Sequence, residues 1–133
     1  MSLAALDEQT FEQFARHFEA LFNDGDAGGM AACYATGARL LAEGSDLVRG
    51  RAAIEVFWQH AIARAQAAGA VRIIGVDDVI SGDGLGYVLG AVTVAIPGGR
   101  RMVTKYVTVW QLDDDGRWRI AVDSSSPNPP AGS

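Results

Sequence analysis

The chain has 133 residues, of which 49% are hydrophobic and 20% charged, a composition typical of one globular domain. The net charge of −5 speaks against nucleic acid as a partner, because phosphate backbones bind to basic surfaces. No apolar run reaches the roughly 20 residues of a membrane span, and the N-terminus has neither the basic nor the apolar segment of a signal peptide. Together with a single cysteine, Cys33, these features predict a cytoplasmic protein without a membrane partner.

Three helices are predicted in the first half of the chain. The first covers residues 7–23, since apolar side chains recur on one face at helical spacing. That face comprises Phe11, Phe14, Phe18, Leu21 and Phe22. A short second helix follows the capping residue Asp26 and extends to Tyr34. A third covers residues 51–68 and ends at Gly69.

The remainder of the chain is predicted to be sheet. The expected strands are residues 39–42, 71–80, 85–96, 100–112 and 117–124. In the strand at 100–112 the side chains alternate with period 2, which is typical of a strand. One face carries Met102, Thr104, Tyr106, Thr108 and Trp110, and the other carries Val103, Lys105, Val107 and Val109. A turn with Asp-Gly joins the last two strands as a hairpin.

Helices followed by a run of antiparallel strands predict an α+β fold. We expect one domain over residues 1–126, with a curved, mostly antiparallel sheet wrapping its concave face around the helices, and a disordered tail over residues 127–133. The outer face would then expose Val103, Val107 and Val109 as part of an apolar patch too large for a monomer to leave in water. This predicts a homodimer.

Several short segments, in this order and spacing, resemble a known family. They are NDGD at 23–26, MAACYA at 30–35, VRGRAAI at 48–54, FW at 57–58 and GRWRI at 116–120. The chain resembles the nuclear transport factor 2-like superfamily, and within it the small bacterial SnoaL-like and ketosteroid-isomerase-like domains. The resemblance implies a cone-shaped half-barrel, usually dimeric, with a pocket between sheet and helices. The superfamily includes isomerases, dehydratases, polyketide cyclases, epoxide hydrolases and non-enzymatic modules, so the fold leaves the function open.

The resemblance also indicates where acid–base groups are missing. The ketosteroid isomerases use a tyrosine late in the first helix, an aspartate base on the first strand and a protonated aspartate on a central strand. Counted from the shared glycines, these positions fall on Phe18, Ala42 and Thr108. None of the three can do the corresponding chemistry, so steroid isomerisation by that mechanism is not expected. The Asp–Arg–Asp arrangement of the epoxide hydrolases is not found at clearly matching positions either.

Asp123 is the candidate catalytic residue. Strict alternation puts it on one face of the last strand with Ala121 and Ser125, opposite Ile120, and the resemblance implies that this face lines the pocket. A carboxyl group partly buried there would have a raised pKa. The alternative is a solvated strand end or an ion pair. Glu43 could reach the pocket mouth, with a surface position as its alternative.

The candidate substrate-binding residues are aromatic or carry a hydroxyl group. They are Phe18, Trp58, Tyr106, Thr108 and Trp110, for each of which ordinary core packing is the alternative. The function expected from these residues is binding of a small apolar or aromatic molecule. The expected reaction, if any, is an isomerisation, cyclisation or dehydration by proton transfer, with no metal or other cofactor. The other hypothesis is a non-catalytic ligand-binding or assembly module, which the three missing acid–base groups favour.

Overall fold

The computed structural model describes residues 7–128. Its helices are α1 (Glu8–Asn23), α2 (Ala27–Ala32) and α3 (Arg51–Ala68). Its strands are β1 (Tyr34–Leu41), β2 (Val48–Arg49), β3 (Val71–Ile74), β4 (Asp78–Ser81), β5 (Leu85–Ala95), β6 (Arg101–Leu112) and β7 (Trp118–Pro127). None of the described helices is long and apolar enough to cross a lipid bilayer.

The strands form one curved sheet in the order β2-β1-β7-β6-β5-β3, and β4 also pairs with β5. All pairs are antiparallel except β1 with β7, which run parallel. The helices lie against the concave face, where the apolar core of the molecule sits. This confirms the predicted α+β fold with a mostly antiparallel sheet around three helices.

The first and third helices form at the predicted positions. Asp7 caps α1 by accepting a hydrogen bond from the Thr10 N–H at 2.7 Å. Gly69 ends α3 in the left-handed conformation, with φ of 66°, which glycine adopts without steric cost. The aromatic face of α1 packs inward, and Phe14 stacks on Trp110 with ring centroids 5.2 Å apart.

The segment around Tyr34 differs from the prediction. Helix α2 ends at Ala32, and Tyr34 is already the first residue of β1, so both the predicted helix end and the predicted strand start at residue 39 are wrong. The cause is parallel pairing with a distant strand, since the Ile120 N–H donates to the Cys33 carbonyl at 2.9 Å. The Arg51 guanidinium also donates two hydrogen bonds to the Tyr34 carbonyl, at 2.7 and 3.1 Å. Local sequence carries no sign of either contact.

The predicted strand at residues 71–80 is two strands, β3 and β4, both paired with β5. The chain bends at Gly75, whose N–H donates to the Ala91 carbonyl at 2.7 Å. The Gly75 carbonyl oxygen lies very close to Gly90, since a Cβ added at Gly90 would be 2.1 Å from it. The hydroxyl of Tyr106 donates to the same carbonyl at 2.7 Å. Position 90 of β5 therefore has no room for a side chain, because the bend at Gly75 between β3 and β4 lies directly against it.

Strand β7 runs past the predicted domain end at residue 126. It includes Pro127, and the Asn128 N–H donates to the Val103 carbonyl at 3.0 Å. The rest of the predicted tail, residues 129–133, lies outside the described residues, as do residues 1–6 of the predicted domain.

A β-bulge in β7 changes which side chains share a face. Val109 pairs with Val122 and Trp110 pairs with Ile120, so Ala121 is an extra residue in β7. The bulge reverses the alternation, and Ile120 and Asp123 both face the concave side. The prediction that Ile120 lies opposite Asp123 is therefore wrong, and so is the placement of Ala121 beside it.

Candidate functional site

A cavity of about 240 Å³ lies between the concave face of the sheet and helices α1 and α3. Its walls are mainly aromatic: Phe11, Phe14, Phe18, Phe57, Trp58 and Trp110. Its polar lining comes mostly from the strands, and among residues 7–128 Asp123 is the one carboxylate in it. The cavity therefore combines a large apolar surface with a few polar groups, as small-molecule sites do.

Asp123 is held by a chain of two hydrogen bonds. The Tyr34 hydroxyl donates to Asp123 Oδ2 at 2.6 Å, and the Trp58 Nε1–H donates to the Tyr34 oxygen at 3.1 Å. In the part of the chain that the structure describes, no hydrogen bond engages Asp123 Oδ1. One carboxylate oxygen is thus fixed in position while the other is available to a molecule in the cavity.

Burial sets the protonation behaviour of Asp123. Removal from water raises the pKa of its carboxyl group above the ordinary value of 3.8. The hydrogen bond from Tyr34 and the positive charge of Arg72 act in the opposite direction and lower that pKa, but burial is the larger effect. An aspartate with a raised pKa is better suited to accept and return a proton near neutral pH.

Tyr34 is fully buried behind Asp123. Burial and the neighbouring Asp123 carboxylate raise the pKa of its hydroxyl well above 10.0, so Tyr34 remains a neutral donor. It does not line the cavity, which makes it a positioning residue for Asp123. Sequence reasoning missed it because it placed Tyr34 at a helix end. The available signal was a tyrosine, which needs a hydrogen-bond partner when buried, inside the apolar segment MAACYA.

Arg72 is the second residue that sequence reasoning missed. Its guanidinium carbon lies 4.9 Å from the ring centroid of Phe22 and 5.0 Å from that of Trp58, and the side chain lines the cavity. Its Nε is buried without a hydrogen-bond partner among residues 7–128. An arginine within the apolar run from Val71 to Ile74 was the signal that could have found it.

All five predicted substrate-binding residues line the cavity: Phe18, Trp58, Tyr106, Thr108 and Trp110. Two hydroxyl groups are already engaged within the protein, since that of Tyr106 donates to Gly75 and Thr108 Oγ1 accepts from Trp110 Nε1 at 2.9 Å. Burial raises the pKa of Tyr106, so its hydroxyl stays protonated. Their part in binding a substrate stays a prediction.

The three positions to which the resemblance assigns the acid–base groups of the ketosteroid isomerases all lie at this cavity. Phe18, Ala42 and Thr108 all line it, but none is an acid or a base near neutral pH. Glu43 is exposed and does not line the cavity. Among residues 7–128, no three His, Cys, Asp or Glu side chains cluster as metal ligands would.

Fold and cavity together define a small α+β domain with an internal apolar pocket. The family model of the SnoaL-like domain matches residues 14–120, which is most of the chain. The protein therefore belongs to the SnoaL-like domain family. Among curated proteins, none matched this chain in sequence.

Solved structures share the fold of this chain. An NTF2-like protein with a cystatin-like fold from Novosphingobium aromaticivorans matches 96% of this chain and 84% of its own, with a TM-score of 0.76 and 17% identity. A protein of unknown function from Nostoc punctiforme matches 99% and 98%, with a TM-score of 0.80 and 16% identity. A ketosteroid isomerase-like protein from Erwinia carotovora atroseptica matches 90% and 94%, with a TM-score of 0.70 and 15% identity. These likenesses confirm the NTF2-like fold, and at such identities they say nothing about the ligand.

Proposed function

We propose that this domain binds a small apolar or aromatic molecule in its cavity and transfers a proton on it, in an isomerisation, cyclisation or dehydration that needs no cofactor. The observation that supports the proposal is the placement of Asp123. Its carboxylate faces the cavity, Tyr34 holds one oxygen at 2.6 Å, and burial raises its pKa.

The proposed chemistry uses Asp123 as the base. Oδ1 takes a proton from an acidic C–H group of the ligand and returns it to another atom, while Tyr34 keeps the carboxylate oriented. The aromatic walls exclude water and hold a planar ligand beside the carboxylate. Positioned acid–base catalysis of this kind contributes about 10²–10⁴-fold in rate.

A non-catalytic ligand-binding or assembly module is the second candidate. It is favoured by the side chains at Phe18, Ala42 and Thr108, which line the cavity without contributing a base or an acid. Under this alternative, Asp123 would serve only the binding of a ligand and the packing of the pocket.

The test is proton exchange on a ketone of suitable size. We would follow deuterium uptake at the activated carbon of 2-tetralone by NMR in D₂O, with the wild type, Asp123→Asn and the control Glu43→Gln. We expect the wild type and the control to accelerate exchange, and Asp123→Asn to lose about 100-fold or more of that acceleration. Saturable binding of aryl ketones without any acceleration by the wild type would favour the non-catalytic module.

We also propose a homodimer in the cytoplasm, formed through the outer face of the sheet. Neighbouring pairs on that face are apolar, since Leu89 lies beside Val107 and Tyr87 lies beside Val109. Leu89 and Tyr87 are 38% and 41% exposed. The cytoplasmic location is supported by the chain's single cysteine, Cys33, which is free.

A further inference from the structure

Arg72 is held in a fixed position by helix α1. Asn23 accepts a hydrogen bond from the Arg72 backbone N–H at 2.9 Å and donates one to the Arg72 carbonyl at 3.0 Å. The guanidinium group lies over the rings of Phe22 and Trp58. Backbone and side chain are thus both fixed, and the cation is preorganised at the cavity wall.

The guanidinium group of Arg72 contacts two aromatic rings but forms no ion pair within the described protein. No carboxylate there is at ion-pairing distance from its guanidinium, and its buried Nε makes no hydrogen bond. Asp123 attracts it electrostatically but is engaged by Tyr34. A buried charge without a partner is costly, and arginine does not escape that cost by losing its proton. An anion in the cavity would relieve it.

The balance of charge at the cavity is opposite to that of the chain. Of the residues that the structure describes, two arginines, Arg64 and Arg72, and one carboxylate, Asp123, line it, whereas the chain carries a net charge of −5. Arg64 is exposed, whereas the Arg72 Nε is buried. An anion that enters the cavity would therefore meet one cation at the protein surface and a second one in the interior. This arrangement attracts a negatively charged ligand into an otherwise apolar space.

We infer that the ligand is an aromatic or otherwise planar apolar acid, whose carboxylate or comparable anionic oxygen group pairs with Arg72. The inference rests on the proposed function, because it names the class of molecule that the cavity takes. The volume of about 240 Å³ suits one or two rings, since a cavity of about 150 Å³ already holds benzene. Trp58 links the two polar groups: its ring contacts Arg72, and its Nε1–H binds the tyrosine that holds Asp123. The anionic group of the ligand would therefore lie close to the proposed base.

The test compares two ligands of the same shape, 2-naphthoate and its neutral amide 2-naphthamide. Dissociation constants would be measured by calorimetry or NMR titration for the wild type, Arg72→Gln, Arg72→Lys, Arg64→Gln and Arg49→Gln. We expect the wild type to prefer the acid by about tenfold or more. We expect Arg72→Gln to bring the preference to within about twofold, and Arg72→Lys to retain part of it, because lysine keeps the charge without the planar fork.

Two controls separate a local from a general effect of charge. Arg49 is exposed and does not line the cavity, so Arg49→Gln should leave the preference unchanged, and Arg64→Gln should reduce it less than Arg72→Gln does. Equal binding of acid and amide to the wild type would overturn the inference while leaving the proposed pocket intact. A preference that survives in Arg72→Gln would overturn it as well. If neither compound binds the wild type, the proposed binding function fails together with the inference.

Discussion

At the scale of single residues, the site depends on how a carboxylate is kept in an apolar cavity. Asp123 loses contact with bulk water, which is unfavourable for its charged form, and Tyr34 compensates part of that loss with a short hydrogen bond. Trp58 fixes the tyrosine oxygen in turn, so three side chains from β7, β1 and α3 act as one unit. Because burial is the larger effect, the folded protein binds the Asp123 proton more tightly than an exposed aspartate would, and this is a preference relative to the unfolded chain.

This preference predicts how stability depends on pH. The folded protein binds the Asp123 proton more tightly than the unfolded chain does, since burial raises the pKa above 3.8. Asp123 therefore lowers the free energy of unfolding progressively as the pH rises through its folded-state pKa. Asp123→Asn removes this effect, so its melting temperature relative to the wild type should increase as the pH rises above about 4 and level off above the folded-state pKa of Asp123.

Thermal unfolding followed by circular dichroism across that pH range would measure the difference. Glu43→Gln removes an exposed carboxylate outside the cavity and controls for the change in net charge. A difference between Asp123→Asn and the wild type that does not vary with pH would contradict the prediction.

At the scale of secondary-structure elements, helix α1 completes the free edge of the sheet. Besides the two hydrogen bonds of Asn23 to Arg72, Glu19 accepts one from the Ile74 N–H at 2.8 Å, and Arg16 donates one to the Ile74 carbonyl. Side chains of a helix thus take the place of a neighbouring strand along β3, which protects an edge that could otherwise pair with another chain. The same contacts set the position of Arg72 at the cavity.

The close packing of Gly90 against Gly75 and Tyr106 predicts that a single added methyl group lowers the stability strongly. In Gly90→Ala the added Cβ would lie 2.1 Å from the Gly75 carbonyl oxygen and 2.7 Å from the Tyr106 hydroxyl. Backbone must move to accommodate it, so we expect a loss of about 1–3 kcal/mol or more in the free energy of unfolding. Urea denaturation would measure it.

Gly37→Ala is the matched control, because Gly37 also lies within a strand and has no atom within 4 Å of an added Cβ. It should be neutral or slightly stabilising, since alanine reduces the freedom of the unfolded chain. Equal stability of Gly90→Ala and Gly37→Ala would show that the Gly75 carbonyl does not lie as close to Gly90 as described.

At the scale of the whole molecule, the sheet has one face on the core and one face that is exposed. On this face the exposed apolar side chains of β5 and β6 include Leu85, Tyr87, Leu89 and Val103, and Val107 and Val109 beside them are half-buried. Association would bury this surface, and each Å² of apolar area removed from water is worth about 25 cal/mol before the cost of association.

The proposed dimer predicts the effect of charge on this face. Val107→Glu combined with Val109→Glu would place two carboxylates at the contact, where they lose water without gaining partners. We expect the double variant to be monomeric or to aggregate, while the wild type is a dimer at micromolar concentration in light scattering. Val56→Glu, on the exposed side of α3, controls for an added charge elsewhere. A stable wild-type monomer under these conditions would refute the dimer.

Local sequence determined the elements whose pattern has a clear period. Helix α1 and strand β6 form where 3.6-residue and two-residue periodicity predict them, because one side of each must face the core. The aromatic side chains of α1 that line the cavity follow from the same periodicity, whereas the pocket position of Asp123 is predicted by the family resemblance and not by local pattern.

Tertiary structure alone decided how the site is completed. The start of β1 at Tyr34 depends on parallel pairing with β7, and the inward position of Ile120 beside Asp123 depends on the bulge at Ala121. Arg72 reaches the cavity because α1 binds the edge of β3. Each of these arrangements joins segments far apart in the chain. Their energies come from pairing and packing between elements, which a reading of local propensity and alternation does not contain.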